Sequence, residues 1–356
     1  MALALAHPEF GYYMRLRSEE HDPIGREGDF VTSPEISQVF GELLGAWLIT
    51  AWRSMGAPRP IHLAELGPGR GTLLADVWRA VTAIAPDFAD ALDLHLVETS
   101  ASLRARQRTT LAALPTPPSH RWHELLDDLP PGPLLLVANE FLDALPVEQY
   151  VADAGIWRQR EVALDSARDG FHFALGDAVD PIRRPDLADL PEAQDGTLAE
   201  RCPEAERLVT RLAARLVVDG GIALFIDYGP TRSGVGETLQ AIRAHRRTHP
   251  LVDAGNVDLS HHVDFERLAK IAVAARGRPW GPIPQGLFFG RLGIAERART
   301  LEAASPARAD AIRGAIRRLV HPGRMGLLFK VLAIGHPAQP APPGFAADGS
   351  ALPTSP

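Results

Sequence analysis

Residues 61–66 form a short apolar run that passes without a linker into Gly67-Pro68-Gly69-Arg70-Gly71 and then into helical spacing. Leu73, Leu74, Val77, Val81 and Ile84 fall on one side of a helix expected from Thr72 to Ala85. The same grammar recurs downstream. Leu92 to Val97 reads as a strand that stops at Glu98, and Ser100 is placed to cap a helix from Ala101 to Leu114. Pro133 to Ala138 is a third strand, ending in Asn139-Glu140-Phe141, and a weaker strand is expected near Arg121 to His123. A helix from about Glu204 to Val218 leads into a strand, Gly221 to Ile226, that ends in Asp227-Tyr228-Gly229. Strands alternating with helices, each strand closing in a polar or glycine turn, predict an α/β fold: a doubly wound, Rossmann-like parallel sheet. Such a sheet holds its ligand at the carboxyl ends of its strands.

The flanking segments elaborate this pattern. Ile36, Val39, Phe40, Leu43, Leu44, Trp47 and Leu48 predict a helix ending near Gly56, with Thr32 and Glu35 as a capping box and Pro34 in the first turn. Trp47, Trp52 and Trp78 are expected in the core. Residues 145–173 alternate like antiparallel strands, 178–200 read as a long loop, 263–276 and 294–320 as helices, and 326–334 as a late strand. The expected organisation is an N-terminal helical cap or lid over 1–60 and a core over 61–335. Insertions are expected at about 145–220 and 235–325, with a disordered tail over 336–356. Of 356 residues, 46% are apolar and 23% charged, which excludes a mainly disordered chain. A net charge of −7 and a pI near 6.0 argue against a nucleic-acid-binding surface. One cysteine, Cys202, excludes an internal disulfide and a cysteine-rich zinc site. No run is long enough to insert in a membrane and no targeting segment is apparent, so a cytoplasmic protein is expected.

The chemistry concentrates at the strand tips. Glycines at 67, 69 and 71 let the backbone turn tightly and approach a bulky ligand, and the helix that follows offers unpaired amides. Glu98, on the neighbouring strand tip, is placed to accept hydrogen bonds from two ribose hydroxyls. Dinucleotide sites space their glycines as Gly-x-Gly-x-x-Gly. Here the third glycine comes one residue early, which disfavours a nicotinamide-dependent oxidoreductase. The form Glu65 to Gly71 suits the amino-acid end of S-adenosyl-L-methionine. Gly67, Gly69, Arg70, Gly71, Glu98 and Asn139 are therefore the expected cofactor residues. Arg70 is a candidate for the cofactor carboxylate or else a solvated helix-start arginine, Asn139 holds either the cofactor or the loop, and Glu124 or Asp127 is a candidate for the adenine. His261 and His262 lack a metal-ligand pattern and are expected to support a loop, so no metal site is expected.

Longer stretches carry a resemblance. Gly11 to Met14, Gly28 to Ser37, Glu65 to Gly71, Leu96 to Glu98, Asn139 to Pro146, Asp227 to Gly229, Asp258-Leu259, Val263 to Phe265 and Met325-Gly326 resemble the MidA family, which includes a mitochondrial complex I assembly factor. The likeness runs from near the first residue to about residue 335. It implies a class I methyltransferase fold, use of S-adenosyl-L-methionine and, for the mitochondrial members, symmetric dimethylation of an arginine on a complex I core subunit. The implied partner is thus a protein substrate; the oligomeric state stays open. The resemblance also implies a helical stretch before Ala2, so the native chain is expected to start upstream of Met1.

A guanidinium stays protonated at working pH and pairs with carboxylates. Arginine methylation therefore needs acidic groups beside the methyl donor. Glu140 is the first catalytic candidate and Glu35 the second; their alternatives are a loop support and a helix cap. Asp29 is expected on a lid or in a turn, Asp143 as a loop support, and Asp227 and Tyr228 at a substrate channel or merely at a strand end. The rival from another functional class is a non-catalytic assembly factor that keeps the cofactor pocket.

Overall fold

The computed structural model describes residues 1–15, 25, 28–165, 170–180 and 182–345. Its strands are β1 (Ile61–Leu66), β2 (Leu92–Val97), β3 (His120–His123), β4 (Leu134–Asn139), β5 (Glu148–Asp153), β6 (Ile156–Asp165), β7 (Gly170–Ala178), β8 (Leu198–Arg201), β9 (Gly221–Tyr228), β10 (Gln240–Arg243), β11 (Arg246–Thr248), β12 (Asp258–Ser260), β13 (Arg278–Pro284) and β14 (Phe329–Gly335). Its α-helices are α1 (Ala2–Ala6), α2 (Ser33–Ile36), α3 (Gln38–Ser54), α4 (Thr72–Ile84), α5 (Pro86–Ala89), α6 (Ala101–Ala112), α7 (Pro203–Asp219), α8 (Phe265–Ala274), α9 (Gln285–Arg291), α10 (Ile294–Ala304) and α11 (Ala309–Val320).

The central sheet has seven strands in the order β13-β14-β9-β4-β1-β2-β3. β9, β4, β1, β2 and β3 run parallel, and β14 and β13 add antiparallel at one edge. β1 and β4 are buried along their whole length, as parallel strands covered on both faces must be. From β1 the chain steps outward to β2 and β3, then crosses back to the other side of β1 to lay down β4. The strand order thus reverses between β1 and β4, and the crevice at their carboxyl ends is the position where doubly wound sheets bind ligands.

One face of the sheet is covered by α3, α4 and α9 to α11, with Phe40, Leu44, Trp47, Trp52 and Phe289 in the packing. Each such side chain contributes about 2 kcal/mol on burial. α3 and α4 approach closely at Gly41, where an added Cβ would stand 2.4 Å from Cβ of Asp76. The opposite face is covered by α7 and α8. Two smaller sheets flank the core, one ordered β7-β6-β5-β8 and one ordered β11-β10-β12.

Several expectations change. The helix expected through Ile36 is two helices, because Ser37 is extended (φ −160°, ψ 132°) and its Oγ accepts from the Val39 N–H to cap α3. The Thr32–Glu35 capping box does not form, since Glu35 bonds elsewhere. α3, expected within a peripheral cap over 1–60, is a layer of the core. The insertions expected at 145–220 and 235–325 both return to the core: α7 and α8 pack on the central sheet, and β13 pairs with β14. Within the loop expected over 178–200, residues 198–200 belong to β8, which pairs with β5. The disordered tail is corrected for residues 336–345. The Pro343 carbonyl accepts from Trp47 Nε1 at 3.0 Å, the Gly344 carbonyl accepts from Arg291, and Phe345 packs on Phe288. Residues 346–356 of that tail lie outside the described residues.

Candidate functional site

A cavity of about 230 Å³ opens at the carboxyl ends of β1, β2 and β4. Its floor is the turn from β1 to α4. Gly67, Gly69 and Gly71 all adopt positive φ (59°, 53° and 79°), which side chains with a Cβ rarely tolerate. A Cβ on Gly67 would stand 2.7 Å from the Phe141 ring. Gly71 is the N-cap of α4 and has no side chain to satisfy the first amides of that helix.

Four glutamates line the cavity: Glu35, Glu65, Glu98 and Glu140. Glu98 Oε1 accepts from the Ser100 N–H (2.9 Å) and Oε2 from Gln107 Nε2 (3.2 Å), and burial raises its pKa. Each of its oxygens keeps a lone pair for a further donor. Glu65 points in from β1. Burial and the neighbouring Glu98 push its carboxyl up to about 8, and its Oε2 is buried with no hydrogen bond. Asn139 donates from Nδ2 to Glu140 Oε1 (3.1 Å) and leaves its buried Oδ1 without a partner. Buried polar atoms seldom stay unpaired. Two orphaned acceptors beside a glycine cradle therefore fit a ligand carrying N–H or ammonium donors.

Glu140 follows β4 with φ at 50°, a left-handed conformation unusual for a residue with a side chain. Its Oε1 accepts from the Ser33 N–H at 2.7 Å, and burial raises its pKa. The loop behind it is held by Asp227. Oδ2 of that residue accepts from the backbone N–H groups of Phe141, Leu142 and Asp143 at 2.9–3.2 Å. Burial still outweighs these bonds and raises Asp227 to about 7. Asp227 thus shapes the loop and does not line the cavity. Buried Asp143, with a pKa raised by burial and by Asp227, also lies behind the wall.

The other expected residues fall as follows. Glu35 lines the cavity and bonds Thr72 Oγ1 (2.5 Å) and Arg70 Nη1 (3.3 Å). Arg70 lies at the rim, and this ion pair ties it to the segment that roofs the cavity. Asp29 accepts from the Tyr12 hydroxyl and the Ala244 N–H, both at 2.6 Å, so it joins the N-terminal segment to the β10–β11 turn. Glu124 and Asp127 are exposed, lie outside the cavity and pair with Arg104 and Arg211. His261 bonds two backbone carbonyls, those of His262 and Leu145. Lining residues not singled out from the sequence include Tyr13, Phe30, Thr99 and Leu103. Gln107, behind the wall, was also missed; it bonds the Gly69 carbonyl, Glu98 and Trp122 together. Its signal is an amide on the apolar stripe Leu103-Gln107-Leu111 of α6. The signal for Glu65 is a carboxylate inside a wholly buried strand.

Residues 43–282 match the family described as "Putative S-adenosyl-L-methionine-dependent methyltransferase". The chain is 39% identical to a Drosophila melanogaster protein named protein arginine methyltransferase NDUFAF7 homolog, mitochondrial, over 94% of this chain and 80% of that one. It is 32% identical to the Homo sapiens protein of that name, over 94% and 78%. Among solved structures, a Burkholderia thailandensis protein bound to S-adenosyl-homocysteine superposes with a TM-score of 0.83 at 29% identity, covering 97% of this chain and 89% of that one. The cytoplasmic placement is overturned by the relatives, which are named mitochondrial in fly, mouse and human. It had rested on not seeing a targeting segment, and that absence does not assign a compartment. Among the described residues no helix is long and apolar enough to cross a membrane.

Proposed function

The chain belongs to this family of S-adenosyl-L-methionine-dependent methyltransferases, and on that premise we propose that it methylates a protein arginine, with Glu140 as the group that receives the guanidinium. The cofactor supplies an electrophilic methyl group on a sulfonium. Gly67, Gly69 and Gly71 give the close backbone approach it needs, and Arg70 at the rim is offered to its carboxylate. Glu98 would accept from ribose hydroxyls, and the free acceptors of Glu65 and Asn139 would take its amino group.

The observation that carries the arginine reading is the placement of Glu140. Its left-handed backbone sets the side chain at the cavity wall, and Ser33 and Asn139 occupy Oε1. Oε2 is left for an N–H of the substrate. A carboxylate there orients one guanidinium nitrogen and holds positive charge as the methyl group arrives; orientation and fixed charge account for most of the rate. No base strong enough to deprotonate arginine at the outset is required, because the proton leaves after the new bond forms. Glu35 adds a second acidic group, and this acidic lining suits a cationic cofactor and a cationic substrate.

The names of the relatives support a protein arginine as the methylated group, and the resemblance to the family that includes a mitochondrial complex I assembly factor supports a complex I core subunit as substrate and symmetric dimethylarginine as product. Purified protein incubated with methyl-tritiated cofactor and such a subunit should place label on arginine, identified by mass spectrometry. Cofactor binding without label on any arginine would overturn the arginine reading and favour a scaffold.

A further inference from the structure

Away from the cavity, three side chains on one face of the sheet converge. β1 and β2 pair so that His62 faces Asp93 and Ala64 faces His95. His62 Nδ1 lies 3.1 Å from His95 Nε2, and Asp93 Oδ2 lies 3.2 Å from each of those nitrogens. The three atoms form a nearly equilateral triangle. A tetrahedral zinc with bonds of about 2.0 Å spaces its ligand atoms about 3.3 Å apart. The donors therefore already stand at the separation such an ion imposes.

The outer atoms are arranged to match. His62 Nε2 lies 3.1 Å from the Pro131 carbonyl, and His95 Nδ1 lies 2.9 Å from His123 Nε2. A carbonyl only accepts, so His62 carries its proton on Nε2 and turns the Nδ1 lone pair into the triangle. His95 does the same when Nδ1–H donates to His123. Metal-bound histidines are held in this way, by a second ring N–H given to a carbonyl or another acceptor. With both rings in these tautomers, two imidazole lone pairs and a carboxylate oxygen face one another and repel unless a cation lies between them.

We propose that His62, Asp93 and His95 form a zinc-binding site, with a water as the fourth ligand. Asp93 is 30% exposed and gives the ion an entry path, while His62 and His95 are buried. Arg121, 59% exposed, contacts the same Asp93 oxygen and must swing away when the ion enters. Each of the two strands runs three residues further to a cavity glutamate, His62 to Glu65 and His95 to Glu98. The ion would staple β1 to β2 on the side away from the chemistry, a structural role. The spacing in sequence hides the site: His62 and His95 are 33 residues apart and meet only through strand pairing.

The test uses the full, untagged chain at about pH 7.5, where an imidazole of ordinary pKa is largely neutral. Equilibrium dialysis against Zn²⁺ should give one bound ion per chain, and Co²⁺ should give the intense visible bands of a tetrahedral centre. Asp93→Asn should bind at least about tenfold more weakly with unchanged circular dichroism and unchanged S-adenosylhomocysteine binding. Arg121→Ala should bind as tightly as the parent or more so. Absence of stoichiometric uptake by the folded parent overturns the proposal, as does a six-coordinate cobalt spectrum or equal uptake by Asp93→Asn and His62→Gln. The cobalt spectrum of the parent decides the matter whether or not a variant folds.

Discussion

Glu140 is held against its own backbone preference. A non-glycine residue in the left-handed region costs about 1–3 kcal/mol, and here the conformation delivers a carboxylate to the cavity wall. Glu140→Gln preserves shape and removes charge, so S-adenosylhomocysteine affinity should hold while methyl transfer drops by about 10²-fold or more. Single-turnover rates at saturating cofactor measure this, and parental turnover would remove Glu140 from the mechanism. Gly69 sits at φ 53°, where a β-branched side chain is strained and would also block close approach of the backbone to a ligand. Gly69→Val should weaken cofactor binding by about 10²-fold, read by calorimetry, and unchanged affinity would count against the cradle. The positions of Glu140 and Gly69 were legible because the turns at the carboxyl ends of the strands face the ligand crevice of a doubly wound sheet. Glu65 and Gln107 were not, because an orphaned oxygen or a three-way amide bridge exists only once β1, α6 and β3 are packed together.

The element that makes Glu140 possible is the loop after β4, and its anchor comes from another strand. Asp227, next to last in β9, gathers three consecutive N–H groups of that loop on one oxygen. Asp227→Asn keeps the size but turns an NH2 donor toward either the Tyr228 N–H or the loop N–H groups, all of which need an acceptor. The expected cost is about 3 kcal/mol of stability. Transfer should fall together with it, because Glu140 is set by this loop. Denaturant unfolding and initial rates check the pair of effects, and a fully stable variant with a lost rate would instead make Asp227 a group that meets substrate. Other elements show the same dependence on distant partners. The strands β1, β2, β4 and β9 and the helices α4, α6 and α7 follow local periodicity and lie close to where the spacing puts them, whereas the helix expected over 294–320 breaks between α10 and α11 at 305–308. The break at Ser37, the pairing of β8 with β5 and the docking of residues 343–345 on Trp47 and Phe288 rest on contacts that no local window contains.

At the scale of the whole molecule, the cavity and its supports collect buried acids. Burial lifts Glu65 to about 8, Asp76 and Asp227 to about 7 and Asp258 to about 6. A carboxyl with a folded-state pKa above its unfolded value stabilises the fold while protonated, and that stability is lost as pH rises through the folded value. Buried His95 and His261 and partly buried His123 and His262 are shifted down and act in the opposite sense, but their contribution is complete above the ordinary histidine value of about 6.5. Between about pH 6.5 and 8.5 the acids govern, so the ligand-free protein should lose on the order of 5 °C in melting temperature. Scanning calorimetry across that window tests this; a flat or rising Tm would mean that the acids are ionised in the fold. Local pattern by itself determined the alternation of strands and helices, the glycine turn and the cofactor class, because periodicity and backbone sterics act within a few residues. Only the tertiary structure decided which groups meet. Glu140 finds Ser33 across 107 residues, Asp227 reaches the loop at 141–143 from the adjoining strand β9, and His62 finds His95 through strand register. Crossover connections set those encounters, and the free energy of burying both faces of one sheet holds them in place.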